Sequence, residues 1–213
     1  MRDSRPINLI ASLSALGVAG LAFAAVTDLP PTFNKPLQKS IGQAMAQETL
    51  RHWKPGGTVS VLTRDTTEFP HPEAEAAFTS FQSTLLAAGR PIDTVQSLQL
   101  DPLRPLAVPP GDFFELIRRS PPGSVIVSFM GPPELTSEQR SQLNPIRAAV
   151  IAFCPGNIPL RSNLRDLLQS GIVRAAVVDR SPPPTKPTGF QGTYALVHAE
   201  DVASLPSQDP NLP

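Results

Sequence analysis

Ser124-Val-Ile-Val-Ser-Phe-Met130, closed by Gly131-Pro132-Pro133, decides the fold. The run is short, β-branched and aromatic, carries no charge, and ends in a turn signal. A strand with one wet face alternates apolar and polar residues; this one reads as covered on both faces, as in a parallel sheet. Residues 148–154 (AAVIAFC) and 172–178 (IVRAAVV) read the same way. Short helical patterns lie between these runs. Strand, helix and strand in repetition is the signature of an α/β layer fold.

Working outward, 58–63 (TVSVLT) is the first strand, and 72–88 is a helix with Phe78, Phe81, Leu85 and Leu86 on one face and Gly89 as its stop. A second, edge strand covers 94–100 through Val95, Leu98 and Leu100, and a proline-laden loop runs from there to 110. Asp112 is an N-cap for a short helix ending at Arg119. Thr136 opens another, in which Thr136 or Ser137 with Glu138 or Gln139 loosely resembles a capping box. Leu160, Leu164, Leu167 and Leu168 form the apolar face of a helix over 157–170, closed by Gly171. After 181–187 (SPPPTKP), an extended segment, 194–198 (YALVH) is a last candidate strand. Right-handed crossovers on this order predict an open, doubly wound, mainly parallel five-stranded sheet, order 2-1-3-4-5.

The N-terminus has its own character. Arg2 and Arg5 precede 7–26, a stretch without charge. Two readings compete: a signal peptide cleaved after Ala24, or a retained helix approaching the ~20 residues needed to cross a bilayer. Ala11, Ala15, Ala19, Gly20 and Ala24 make a small-residue face that would let another transmembrane helix approach. The basic start places the N-terminus in the cytoplasm and the chain beyond Asp28 outside it, in a bacterial inner membrane with a periplasmic domain. The expected organisation is an anchor over 1–28, a proline-rich spacer and amphipathic helix over 29–56, the α/β domain over 57–200, and a flexible tail over 201–213. Leu37, Ile41, Ala44, Met45 and Leu50 mark the helix, which either lies on the sheet or docks at the membrane.

Composition narrows the function classes. Lysine and arginine balance aspartate and glutamate at 18 each, so there is no electrostatic footprint for nucleic acid. Proline, 26 of 213 residues, sits mostly between periodic segments and at the ends, where it punctuates structure. One cysteine excludes an intrachain disulfide.

From Gly57 to Arg180 the chain resembles one lobe of a periplasmic solute-binding protein of the ribose-binding kind. The features that carry this are a first strand ending in Arg64-Asp65, a helix closing at Ala87-Ala88-Gly89-Arg90, and the succession Ser124-Val-Ile-Val-Ser, Ala149-Val-Ile-Ala and Ala175-Ala-Val-Val-Asp179. The resemblance implies a flavodoxin-like lobe and covers about three-fifths of the chain. There is no second lobe in the sequence, so neither the family's clamshell closure nor its binding residues carry over.

In open α/β sheets ligands sit beyond the carboxyl ends of the strands, near the switch between the first and third. That rule collects Arg64, Asp65, Thr66, Gly131 and Asn157 as ligand-binding candidates, with Asp179 and Arg180 beside them. An arginine with an adjacent carboxylate and hydroxyls suits a small polar or anionic ligand; strand ends also carry polar residues for no such reason. Cys154 would need a histidine base to act as a nucleophile, and His52, His71 and His198 stand at no matching spacing. Thr63-Arg-Asp-Thr-Thr-Glu68 lacks the glycines of a phosphate fingerprint, and no metal spacing is convincing, so no cofactor or metal is expected. The first expectation is therefore a non-catalytic accessory subunit of a membrane complex, partnered by other transmembrane subunits. The second is an exported single-lobe binding module for a small polar ligand.

Overall fold

A computed structural model describes residues 33–99, 108, 110–143, 145–180 and 189–205. The chain divides into two compact units, Met1–Phe33 and Asn34–Pro213, and every described residue except Phe33 belongs to the second.

Six strands form one sheet: β1 (Val59–Arg64), β2 (Thr94–Leu98), β3 (Val125–Ser128), β4 (Ala149–Cys154), β5 (Val173–Asp179) and β6 (Tyr194–Val197). Their order is 2-1-3-4-5-6; β1 to β5 are mutually parallel, and β6 runs antiparallel to β5. The five-stranded expectation is corrected by this one strand. Connection length is not the cause of its direction, because the 14 residues between Asp179 and Tyr194 would suffice for a parallel crossover. Among its described residues this connection carries only the one-turn helix α7 (Gly189–Thr193), which leads directly into β6 beside β5.

The helices cover both faces. On one face lie α1 (Lys35–His52) and α2 (Pro72–Ala87), which bury Ile41, Met45, Phe81 and Leu85 against Val61, Val127, Ile151 and Val177. On the other lie α3 (Pro110–Arg119), α4 (Ser137–Gln142), α5 (Ile158–Arg161) and α6 (Leu164–Gln169). From this second face Phe113, Ile117, Leu164 and Leu168 meet Leu62, Ile126, Val150 and Val178. All four residues of β3 are buried, as expected of a strand covered twice. β2 and β6 are the edge strands, and Val95 in β2 is 45% exposed.

Local chemistry explains the helix boundaries. The Asn34 side chain accepts from Leu37 N, and α1 ends where Lys54 N turns to donate to Gly123 O. This helix, which sequence leaves between two fates, lies on the sheet; Gly42 sits so close to α2 that an added Cβ would be 2.1 Å from Ala77 O. Thr136 and Gln139 form a full capping box at α4, tighter than the loose signal in the sequence. The single helix expected over 157–170 is two, because Ser162 turns extended (ψ 153°) and its hydroxyl donates back to Ile158 O. A 3₁₀ turn (Ala199–Ser204) comes after β6, and Val202 and Leu205 enter the core.

The placement in a bacterial inner membrane as a single-pass protein is corrected. Among the described residues no helix is long and apolar enough to cross a membrane. The segment that prompted it, including Ala11, Ala15, Ala19, Gly20 and Ala24, lies outside the described residues, as do 100–107, 181–188 and 206–213.

Candidate functional site

The parallel strands fix where a ligand would sit. β1 and β3 are neighbours whose following helices, α2 and α4, go to opposite faces, so the chain splays open beyond their carboxyl ends. Arg64 is the last residue of β1. Its side chain belongs to the α3 face, since Leu62 on the same side of the strand does. The Arg64 Nε is buried without a hydrogen-bond partner, which is uncommon for a charged donor.

Asp65 and Thr66 continue from it. Asp65 N donates to Leu98 O at 2.8 Å, tying the loop to the edge strand. The Asp65 carboxylate accepts from Thr67 N at 2.8 Å and from the Thr67 hydroxyl. Those two bonds, the hydroxyl's first, hold its pKa below the usual carboxylate range. Asp65 is therefore a fixed anion whose own loop occupies one of its oxygens.

Gly131 lies further along the same edge. With Leu62 opposite Ser128, extending the β1–β3 register sets Arg64 beside Met130, next to Gly131. Gly131 has φ +92°, a conformation a side chain would strain. It lines a small cavity of about 30 Å³ with Met130, Glu134, Ile158, Arg161 and Ser162. Asn157 is exposed at the start of α5 and does not line that cavity. Thus Arg64, Asp65, Thr66 and Gly131 stand at the ends of two neighbouring strands on one ledge, the carboxyl edge of the sheet, and Asn157 follows the next strand, β4. The Asp179 carboxylate accepts from Gly156 N at 2.7 Å and so braces the β4 loop.

Sequence reasoning missed the aromatic side of this edge. On the α1–α2 face, partly buried rings stand near the strand ends: Phe129 after β3, Phe153 in β4 and Tyr194 in β6. Phe129 meets Phe78 and Phe81 edge-on at 6.1 and 5.6 Å, and Phe153 meets Tyr194 at 5.7 Å. Burial, then the charges of Asp179 and Glu73, push the Tyr194 phenol above its ordinary pKa. The available signal was a ring close to the strand end, on the parity of the apolar face.

Cys154 is fully buried, and burial pushes its thiol far above the ordinary range. A thiol held that way is not a nucleophile. His198, Glu200 and Asp201 have ligand atoms within 4.8 Å of one another, but both ring nitrogens of His198 are already engaged. Its Nε2 lies 3.1 Å from the buried Glu48 carboxylate and its Nδ1 3.5 Å from Asp201. This network, with Arg51 on the other Glu48 oxygen at 3.2 Å, ties α1 to the turn after β6. Its role is structural.

No protein-family model matches the chain, and no curated protein does. Solved structures do. AraP, an arabinose binding protein from Geobacillus stearothermophilus, aligns at 16% identity with a TM-score of 0.54, over 80% of this chain and 63% of that one. The XylFII-LytSN complex aligns at 11% identity with a TM-score of 0.50, over 77% of this chain and 60% of that one. A sugar-binding protein of a sugar ABC transporter from Bacillus halodurans aligns at 15% identity with a TM-score of 0.49, over 78% of this chain and 63% of that one. The chain therefore has a solute-binding-protein-like α/β fold and spans about three-fifths of the length of these structures. Nothing in these likenesses supports an accessory subunit of a membrane complex.

Proposed function

We propose that this domain is a non-catalytic binding module for a small polar ligand, a sugar or similar polyhydroxylated molecule, held at the carboxyl edge of the sheet. The observation that carries this is Arg64: a buried guanidinium nitrogen with no hydrogen-bond partner, at the strand switch where folds of this kind hold ligands. Asp65 and Thr66 add a fixed acceptor and a hydroxyl, and the rings at the neighbouring strand ends offer apolar faces. The likeness to an arabinose binding protein supports the ligand class.

The ledge sets the affinity scale. Ligand pockets usually enclose about 300–1,000 Å³, whereas the cavity at Gly131 holds about 30 Å³. A ligand lying on this open edge keeps much of its surface in water, so a Kd on the order of 1 mM is expected. A monosaccharide screen by thermal shift tests it. At about ten times Kd a ligand stabilises by about 1.4 kcal/mol, or about 3–6 °C for a domain this size. Arg64→Ala removes that shift. A screen without a shift, in which Arg64→Ala behaves as the wild type, overturns the reading.

A further inference from the structure

The opposite edge of the sheet carries a second site. At the amino ends of the strands lies a cavity of about 340 Å³, lined by Lys54, Ser124, Arg147 and Arg174 together with His52 and Ile146. It is an order of magnitude larger than the cavity at the carboxyl edge.

Its three strong cations come from separate segments, each fixed by backbone bonds. Lys54 is in the turn after α1, where its N–H donates to Gly123 O at 3.0 Å and its carbonyl accepts from Gly57 N at 3.0 Å. Gly57 passes so near β3 that an added Cβ would lie 2.2 Å from Gly123 O, which locks this turn against the sheet. Arg147 shortly precedes β4, and its carbonyl accepts from Gly123 N at 3.0 Å. Arg174 is the extra residue of a bulge: Val150 pairs with Val173 and Ile151 with Ala175, leaving Arg174 between them. Such a bulge re-aims a side chain out of the ladder.

Among the described residues no carboxylate pairs with Lys54, Arg147 or Arg174. Two acids of this end are taken: Glu48 by Arg51 and His198, and Asp93 by Val59 N at 2.7 Å. In a chain of zero formal net charge, three converging cations around one concavity are a local surplus that an anion would relieve.

We propose that this amino-edge cavity binds a small phosphate-bearing molecule. Two guanidinium forks and one point-charge ammonium match a dianionic phosphate with several accepting oxygens. The Ser124 hydroxyl, which bonds Thr58, stands at the cavity wall. The volume is roughly ten times a water's ~30 Å³ share of liquid, so it leaves room for a body beyond the phosphate. This site and the carboxyl-edge ledge share no residue.

The test is calorimetric titration of the full chain with pyrophosphate, inorganic phosphate and citrate at constant ionic strength. Pyrophosphate is expected to bind saturably, with Kd below about 1 mM. Arg147→Ala and Arg174→Ala should each weaken it about tenfold. Arg118→Ala, which removes a cation paired with Glu115 on α3, should leave it unchanged and so controls for net charge. Should one arginine variant lose its fold, Lys54→Gln and the phosphorus resonance of bound pyrophosphate on the wild type carry the test. Absence of saturable binding overturns the proposal, as does equal affinity in wild type and both arginine variants. Citrate binding as tightly as pyrophosphate overturns the phosphate assignment.

Discussion

Gly42→Ala probes whether α1 is an integral layer of the domain. Alanine normally stabilises a helix interior by about 1 kcal/mol relative to glycine. Here the added Cβ would lie 2.1 Å from Ala77 O and 2.8 Å from Phe81 N, where ordinary contact begins at 3.4 Å. Both obstacles are backbone, so no side chain can swing away. Relief requires α1 and α2 to separate by about 1.3 Å, loosening Ile41 and Met45, each 0% exposed, from the sheet. Overpacking of this kind costs about 1–3 kcal/mol, with backbone shifts at or beyond the upper end. Net of the helix gain, about 2 kcal/mol is lost. At about 2–4 °C per kcal/mol that lowers Tm by roughly 4–8 °C. Thermal unfolding followed through Trp53, the only tryptophan, reads it directly. Gly111→Ala, whose Cβ would meet nothing within 4 Å, should be neutral or slightly stabilising. A Gly42→Ala protein that melts at or above the wild-type temperature would refute the reasoning.

Three further outcomes are expected. Burial holds the His52 imidazole below its ordinary pKa, so the unfolded chain takes up that proton at a higher pH than the folded one. Its contribution is intact above about pH 6.5 and is lost as pH falls through the lower folded value; the decline in Tm from about pH 7 to about pH 5 should therefore be shallower in His52→Gln, and an identical decline would exclude this group. Cys154 should resist a thiol reagent until the domain unfolds, and labelling at the rate of a free thiol in native buffer would contradict its burial. Glu48→Gln, which strips the charge from a carboxylate 3% exposed between Arg51 and His198, should cost about 1–3 kcal/mol in urea unfolding; an unchanged midpoint would show the network to be idle.

The strands that sequence resolved best were those buried on both faces. Val125–Ser128 and Ala149–Cys154 carry no competing pattern, so composition alone identifies them, and crossover handedness then fixes their order. The direction of Tyr194–Val197 was not legible, because a four-residue apolar run has no polarity and the 14 residues between it and Asp179 admit either direction. Arg64, Asp65 and Gly131 were put forward as candidates by the strand-end rule, which needs only topology. The cavity at the other edge was not, since His52, Lys54, Arg147 and Arg174 lie more than 120 positions apart at their extremes and share no spacing. The bulge that turns Arg174 outward leaves no mark in IVRAAVV beyond a charge inside an apolar run.

The bond from Thr58 N to Ser124 Oγ spans 66 residues, and it marks the start of the β1–β3 pairing. A ribosome adding about 5–20 residues per second needs roughly 3–13 s to make that span. Late in this interval, once Thr94–Leu98 has been made, β1 has β2 on one flank and nothing on the other, while α1 and α2 precede β3 out of the ribosome. The helical pair thus shields one side of β1 first, and the opposite flank stays open to rival chains until Val125–Ser128 emerges. Aggregation during expression should accordingly track the delay between those two moments, which slow codons across 99–124 would lengthen.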